Sequence, residues 1–182
     1  MFILQINKKI ILLLIVIACF LNGFAQMNIQ SDTILYDSLF KQAKYYAYNG
    51  ERQKAINTCR VLLAKDYNSD VDVLLGRIYS WTDKYDSSKI ILNNVLAIKP
   101  GHYDAYEALI DLEYWNNKYE DAMKVCEQAL IDHPDDEMFL FKQAKIFKAQ
   151  NKNSEAITTL QKIIAIDTTN QDAIKLFSSL KK

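Results

Sequence analysis

The chain has 182 residues, with 22 Lys and Arg against 22 Asp and Glu, so its formal net charge is zero. A balanced charge gives no electrostatic reason to bind nucleic acid, which calls for a clustered basic face. With four glycines in all, the chain has no glycine-rich loop of the kind that cradles phosphate.

The first element is an unbroken apolar run from Ile10 to Leu21, preceded by Lys8 and Lys9. Its 12 residues fall short of the roughly 20 that a membrane-spanning helix needs. Gly23-Phe24-Ala25-Gln26 follows, with small residues where a signal peptidase inspects the chain, so residues 1–25 are expected to be a cleaved secretory signal. A rival reading takes Val16-Ile17-Ala18-Cys19 as a lipoprotein box with Cys19 acylated; the apolar Phe20 and Leu21 just beyond disfavour it. Cleavage leaves 157 residues with 20 basic and 22 acidic side chains and no transmembrane span, enough for one domain with a core of its own. The expected location is the periplasm.

After a linker over 26–35, one unit recurs from Tyr36, Ser69, Tyr103 and Glu137, at steps of 33, 34 and 34 residues. The expected bounds are 36–68, 69–102, 103–136 and 137–170. Each unit holds two amphipathic stretches of about a dozen residues, a length that favours helix over strand. The turns inside the units read Asn49-Gly50-Glu51, Thr82-Asp83-Lys84, Asn116-Asn117-Lys118 and Gln150-Asn151-Lys152, all rich in helix-stopping residues. Pro100 and Pro134 close the second and third units. A last amphipathic helix, 171–181, has Ala173, Ile174, Phe177 and Leu180 on one face and caps the stack.

This period resembles the tetratricopeptide repeat over nearly all of 36–182. Ala43, Gly76 and Ala144 match the small residue where paired helices cross, and Ile110 departs from it, which implies a wider third pair. Tyr46, Tyr79 and Phe147 match the aromatic position three residues on, where the third unit has Glu113. Ala55, Ala122 and Ala156 match the small site of the second helix, with Ser88 as the variant. The fold class expected is all-α, an α-solenoid of about four such helical hairpins plus a capping helix. One hairpin cannot bury its apolar stripe alone, so neighbours stack.

Cys59 and Cys126 take the same apolar place in units one and three, on the order of 20 Å apart if helices pack 8–10 Å apart. A disulfide needs Cα atoms within about 7 Å, so two free buried thiols are expected. His102 and His133 sit beside the closing prolines. No second histidine stands at ligand spacing, and Asp132-His133-Pro134-Asp135-Asp136-Glu137 reads as an acidic helix start. No metal, cofactor or catalytic residue is expected, and no enzyme activity.

In the repeat fold the first helices line the concave face, and residues one turn apart on them point into the groove. Those positions give a charged row, Lys44, Arg77, Asp111 and Lys145, and an aromatic row, Tyr48, Trp81 and Trp115, with Phe40, Glu107 and Phe141 nearby. The aromatic row is expected to form a ladder. Either its indoles pack between adjacent first helices, or they make a platform for an extended peptide or a sugar chain. Lys41, Lys44 and Arg77 could hold a carboxylate, but chaperone-type repeats that grip a C-terminal carboxylate use a Lys/Asn set whose Asn is missing here.

The stretches "LLGRIYSW", Leu74 to Trp81, and "ALIDLEYWNNKYEDAM", Ala108 to Met123, resemble the N-terminal repeat segment of YaiO-type outer-membrane proteins. Leu75-Gly76-Arg77, Tyr79, Trp81, Tyr85 and Leu109 to Trp115 carry the likeness. In that family a signal peptide and a short repeat stack precede a transmembrane β-barrel, and similar architectures serve exopolysaccharide export. Nothing in this chain alternates over the roughly ten-residue segments of a barrel. The resemblance implies a scaffold that binds a protein segment in its groove within an envelope or outer-membrane assembly, with such a barrel among the partners. The alternative is a carbohydrate-binding module that assists polysaccharide export.

Overall fold

The helical periodicity of the sequence becomes nine helices and no strand among the described residues, 33–181 of the computed structural model. They are α1 (33–48), α2 (Arg52–Lys65), α3 (Ser69–Ser80), α4 (Tyr85–Ile98), α5 (Tyr103–Trp115), α6 (Tyr119–Asp132), α7 (Glu137–Ala149), α8 (Asn153–Ile166) and α9 (Gln171–Leu180). The signal and lipoprotein readings, and residues 26–32 of the linker, lie outside the described residues. Helix α1 takes in residues 33–35, which the sequence reading gave to the linker. Thr33, Ile34 and Leu35 include no proline or glycine to halt a helix running into the apolar face of Leu39 and Ala43.

The turns inside the pairs share one backbone device. Gly50, Asp83, Asn117 and Asn151 hold the left-handed conformation, with φ of 83°, 57°, 59° and 60°, which only glycine and short polar residues enter readily. The next amide in each case donates to a carbonyl five residues back: Glu51 to Tyr46, Lys84 to Tyr79, Lys118 to Glu113, and Lys152 to Phe147. That bond stops the first helix and aims the chain into the second. At the start of α3, α7 and α9, Asn68 accepts from the amides of Asp70 and Val71, Asp136 from Phe139 and Asn170 from Ala173, so orphan amides are capped there, whereas His102 makes no such bond at the start of α5.

Packing is strictly between neighbours. Each of α3, α5 and α7 contacts the second helix of its own pair and that of the preceding pair, α3 also touches α5, and α5 touches α7. Outer helices α4, α6 and α8 make no comparable contact with one another. Inner helices therefore stand closer together than outer ones, which curves the stack around them. The core divides into layers that each join three successive helices. One layer unites Ala43, Cys59 and Ile78; the next Val73, Leu92 and Leu109; then Ile110, Cys126 and Phe139; and last Leu140, Leu160 and Ala173. Every pair is thus sealed by the first helix of the next, and α9 seals the last.

Gly76 shows how close the pairing is. A Cβ there would lie 2.9 Å from both Cγ and Cδ2 of the fully buried Leu92. Ser88 uses the same closeness, donating its hydroxyl to the Gly76 carbonyl at 2.7 Å. In the third unit Ile110 replaces the small residue, and the position matching Leu92 is Cys126. Large and small side chains have changed sides of the pair, and both are buried. The bulk of Ile110 is answered across the pair by the smaller Cys126.

Cys59 and Cys126 are free and buried, as the repeat register implied. Burial pushes each thiol up to about 12, and Cys126 donates to the Phe139 carbonyl at 3.3 Å. Protonated, enclosed thiols are poor nucleophiles. Native protein near neutral pH is expected to resist maleimide, with both thiols reacting only on unfolding; a mass showing a disulfide, or rapid native labelling, would contradict this. Gly76→Leu should destabilise by about 1–3 kcal/mol through overpacking, seen as a lowered melting temperature. Adding Leu92→Cys, which copies the Ile110 and Cys126 arrangement, should recover part of the loss. Additive losses in the double variant would show that the two positions do not compensate.

Candidate binding groove

The inner wall follows from the repeat register, because α1, α3, α5 and α7 each present one stripe to the concave side. Two cavities open along it. The first, about 430 Å³, is lined by Phe40, Lys44, Tyr48, Arg77 and Glu107, with Asp70, Val73, Leu74 and Asp104. The Lys44 ammonium stands 4.6 Å from the centre of the Phe40 ring. The second, about 610 Å³, lies between α7 and α9 and is lined by Tyr114, Phe141, Lys145, Lys148, Lys175 and Leu176, with Ala149, Asp172 and Ser179. Of the residues singled out from sequence, Lys44, Tyr48 and Arg77 meet in the first cavity and Phe141 and Lys145 in the second. Trp81, Asp111 and Trp115 line neither.

Between the cavities runs a chain of charge. Arg77 Nη2 lies 2.6 Å from Glu107 Oε2, Lys142 Nζ lies 3.8 Å from Glu107 Oε1, and the same ammonium reaches Asp111 Oδ1 at 2.5 Å. Arg77 also donates to the Asp104 carbonyl at 3.4 Å. The chain crosses α3, α5 and α7, and its members are half-buried. Solvent screens such groups less than it screens exposed pairs, so the network ties three inner helices together. The members of the charged row expected from sequence therefore differ in their surroundings. Arg77 and Asp111 are neutralised by Glu107 and Lys142, whereas Lys44 and Lys145 rest over the rings of Phe40 and Tyr114.

The aromatic ladder is corrected, since it has one rung. Tyr48 and Trp81 pack with ring centres 5.6 Å apart, and the Arg52 guanidinium covers Trp81 at 4.6 Å. Trp115 is 58% exposed and has no ring partner among the described residues. The next position in register is Ala149, which has no ring to continue the row.

Sequence reasoning missed Lys142, and the Tyr114, Lys148, Lys175 and Leu176 walls of the second cavity. A signal for Lys142 was present: Glu107 and Asp111 stand four apart on one helix, with no base at matching spacing on that helix. The cavity walls give less signal, because the apolar face of α9 accounts for a cap and nothing in its own pattern marks Lys175 and Leu176 as facing α7.

The histidines tie units together. His102 Nε2 lies 3.2 Å from Ser69 Oγ and 3.1 Å from Asp70 Oδ1. His133 Nε2 lies 2.8 Å from the Gly101 carbonyl. Tyr103 donates to Asp136 and Asn170 donates to Glu137, so links about one unit long recur along this edge. Among the described residues no group of His, Cys, Asp and Glu could hold a metal ion, and no helix is long and apolar enough to cross a membrane.

Glu113, in the place of the repeat aromatic, is 2% exposed and pairs with Lys89 at 2.6 Å. Lys89 itself occupies a site that is Ile56, Met123 and Ile157 in the other units. Two polar replacements on adjacent helices thus answer each other.

Family models described as tetratricopeptide repeat match residues 83–146 and, in a second case, 37–69 and 139–167. Anaphase-promoting complex subunit 7 of Arabidopsis thaliana is 27% identical over 160 residues, covering 87% of this chain and 28% of that protein. The TPR repeat-containing protein YpiA of Bacillus subtilis is 23% identical, covering 75% of this chain and 41% of its own length. The chain thus spans less than half of these relatives. Among solved structures, a tetratricopeptide repeat protein from Parabacteroides merdae superimposes with a TM-score of 0.69 at 17% identity, over 80% of this chain and 59% of that one. YrrB, described as a TPR protein with an unusual peptide-binding site, gives 0.63 at 13% identity, over 77% and 73%. MamA from Desulfovibrio magneticus gives 0.61 at 13% identity, over 80% and 93%. At these identities the likeness is one of fold.

The Lys89 and Glu113 pair makes a quantitative expectation. Hydrogen bonding to Glu113 holds the Lys89 ammonium above lysine's ordinary 10.5. A raised lysine contributes its stability in full below that value and loses it as pH climbs through the folded value. Lys89→Met should therefore lower stability at neutral pH by about 1–3 kcal/mol, less than for a fully buried pair because Lys89 is partly exposed. The gap from wild type should shrink above pH 10.5, and adding Glu113→Tyr should restore the repeat aromatic and most of the loss. Melting curves against pH check both.

Proposed function

We propose that this chain, a tetratricopeptide repeat protein, is a non-enzymatic adaptor that holds an extended segment of another protein along its inner wall. The observation that carries this reading is the pair of cavities on one concave face, with a self-neutralised ionic chain between them. The ionic chain fixes the wall's shape, and the cavities leave unpaired cations and apolar surface open to a partner. Rigid walls with separated pockets suit a segment bound at several anchor points. Two relatives are consistent with the reading: one structural neighbour is described as having a peptide-binding site, and one relative is a subunit of a larger complex.

We further propose that the adaptor acts after export, within an envelope or outer-membrane assembly that includes a β-barrel partner. Lys8-Lys9, the apolar run Ile10 to Leu21 and the small residues at Gly23 and Ala25 support export, and the likeness of Leu74 to Trp81 and Ala108 to Met123 to YaiO-type proteins supports the setting. The carbohydrate alternative asks for a continuous run of rings, and the single Tyr48 and Trp81 rung with an isolated Trp115 does not supply one.

Selection of displayed random peptides against the purified chain tests the reading. Enriched peptides should bind the wild type and lose about tenfold or more in affinity to Lys44→Glu or Phe141→Ala variants of unchanged circular dichroism. Equal binding to those variants, or no enrichment at all, would refute a groove function. Retention of a polysaccharide that Trp115→Ala abolishes would move the assignment to carbohydrate.

A further inference from the structure

The two cavities differ in charge. Lining the first are Lys44 and Arg77 against Asp70, Asp104 and Glu107, a formal balance of −1. Lining the second are Lys145, Lys148 and Lys175 against Asp172 alone, a balance of +2. None of those three lysines makes an ion pair with another described residue, whereas Arg77 and Lys142 farther along the same wall are both paired. Lys145 and Lys148 stand three apart on α7, a spacing at which like charges repel, and Lys175 faces them from α9. The floor between them is apolar, made by the half-buried Phe141 and Leu176. The volume, about 610 Å³, suits one large side chain with its flanking backbone.

Resting on the groove reading above, we propose that the cavity between α7 and α9 takes an acidic peptide segment of a partner protein. One large apolar side chain of that segment sits on Phe141 and Leu176, and its carboxylates meet Lys145, Lys148 and Lys175. The charge difference along the wall sets direction as well as affinity. An acidic stretch is drawn to the α9 end and repelled from the α1 end, so the segment lies in one polarity. Because the ammonium groups of Lys148 and Lys175 are exposed, the attraction depends on salt. The α9 helix is then a wall of the binding site as well as the seal of the stack.

Fluorescence anisotropy with synthetic peptides tests this. One labelled probe carries a single Leu within Asp and Glu; a second replaces the acids by Asn and Gln; a third replaces the Leu by Ser. The acidic probe should bind, the second and third should bind about tenfold more weakly or worse, and raising salt from about 0.05 to 0.5 M should weaken the first. Lys148→Glu and Lys175→Glu, both at exposed helix positions and checked by circular dichroism, should each cut affinity severalfold, while Lys124→Glu on the outer helix α6 should not. Equal binding of the neutral or Leu-free probe, indifference to Lys148→Glu and Lys175→Glu, or no binding of the acidic probe overturns the proposal. If display-selected peptides still require the groove when the acidic probe fails, only this proposal falls. If they do not, the adaptor reading falls with it.

Discussion

Everything in this molecule depends on helices that cannot hide their apolar stripes alone and so share them three at a time. Each core layer borrows the first helix of the following unit, which makes the spacing between units as fixed as the spacing within one. The contact of Gly76 with Leu92 shows how close the helices come. Two helices come so near there that a methyl group has no room, and the Gly76 carbonyl takes a hydrogen bond from Ser88. Shape is set by this apolar interlock, and polar groups then decorate a scaffold whose curvature is already determined.

The polar decoration divides by side. Along one edge, His102, His133 and Asn170 reach back about one unit to a serine, an acid or a carbonyl, and Tyr103 reaches forward to Asp136, so residues that would suit chemistry are occupied as staples. On the inner wall, Arg77, Glu107, Lys142 and Asp111 satisfy one another across three helices. On that wall, cations outside any ion pair stand at the two ends of the groove: Lys44 over Phe40 at one, and three lysines around Phe141 and Leu176 at the other. Where the middle of a wall is neutralised, the unpaired cations at its ends are the groups left to meet a partner's charge.

Much of the fold was legible in the sequence because its causes are periodic. Left-handed turn residues at Gly50, Asp83, Asn117 and Asn151, and small residues at Ala43, Gly76 and Ala144, recur at the repeat interval, and local sequence alone dictates what they do. Less was legible where a residue's meaning lies in a different unit. Ile110 looked like a misfit until Cys126 was seen in the place of Leu92. Glu113 looked like a lost aromatic until Lys89 was seen in an apolar site. The aromatic ladder failed for the opposite reason: periodic placement of Trp81 and Trp115 says nothing about whether the following unit brings a ring, and Ala149 does not. Lys142 escaped because it pairs with α5 from α7, a relation between helices that no single-helix pattern displays.

The neighbour-only packing described above carries a consequence for how such a protein can change. Since no layer leans on any but the adjacent one, a unit inserted or lost between two others asks only its immediate flanks to readjust. Reach along a partner is therefore an adjustable length, set by counting modules, while the pocket that α9 forms with α7 depends only on the units beside it.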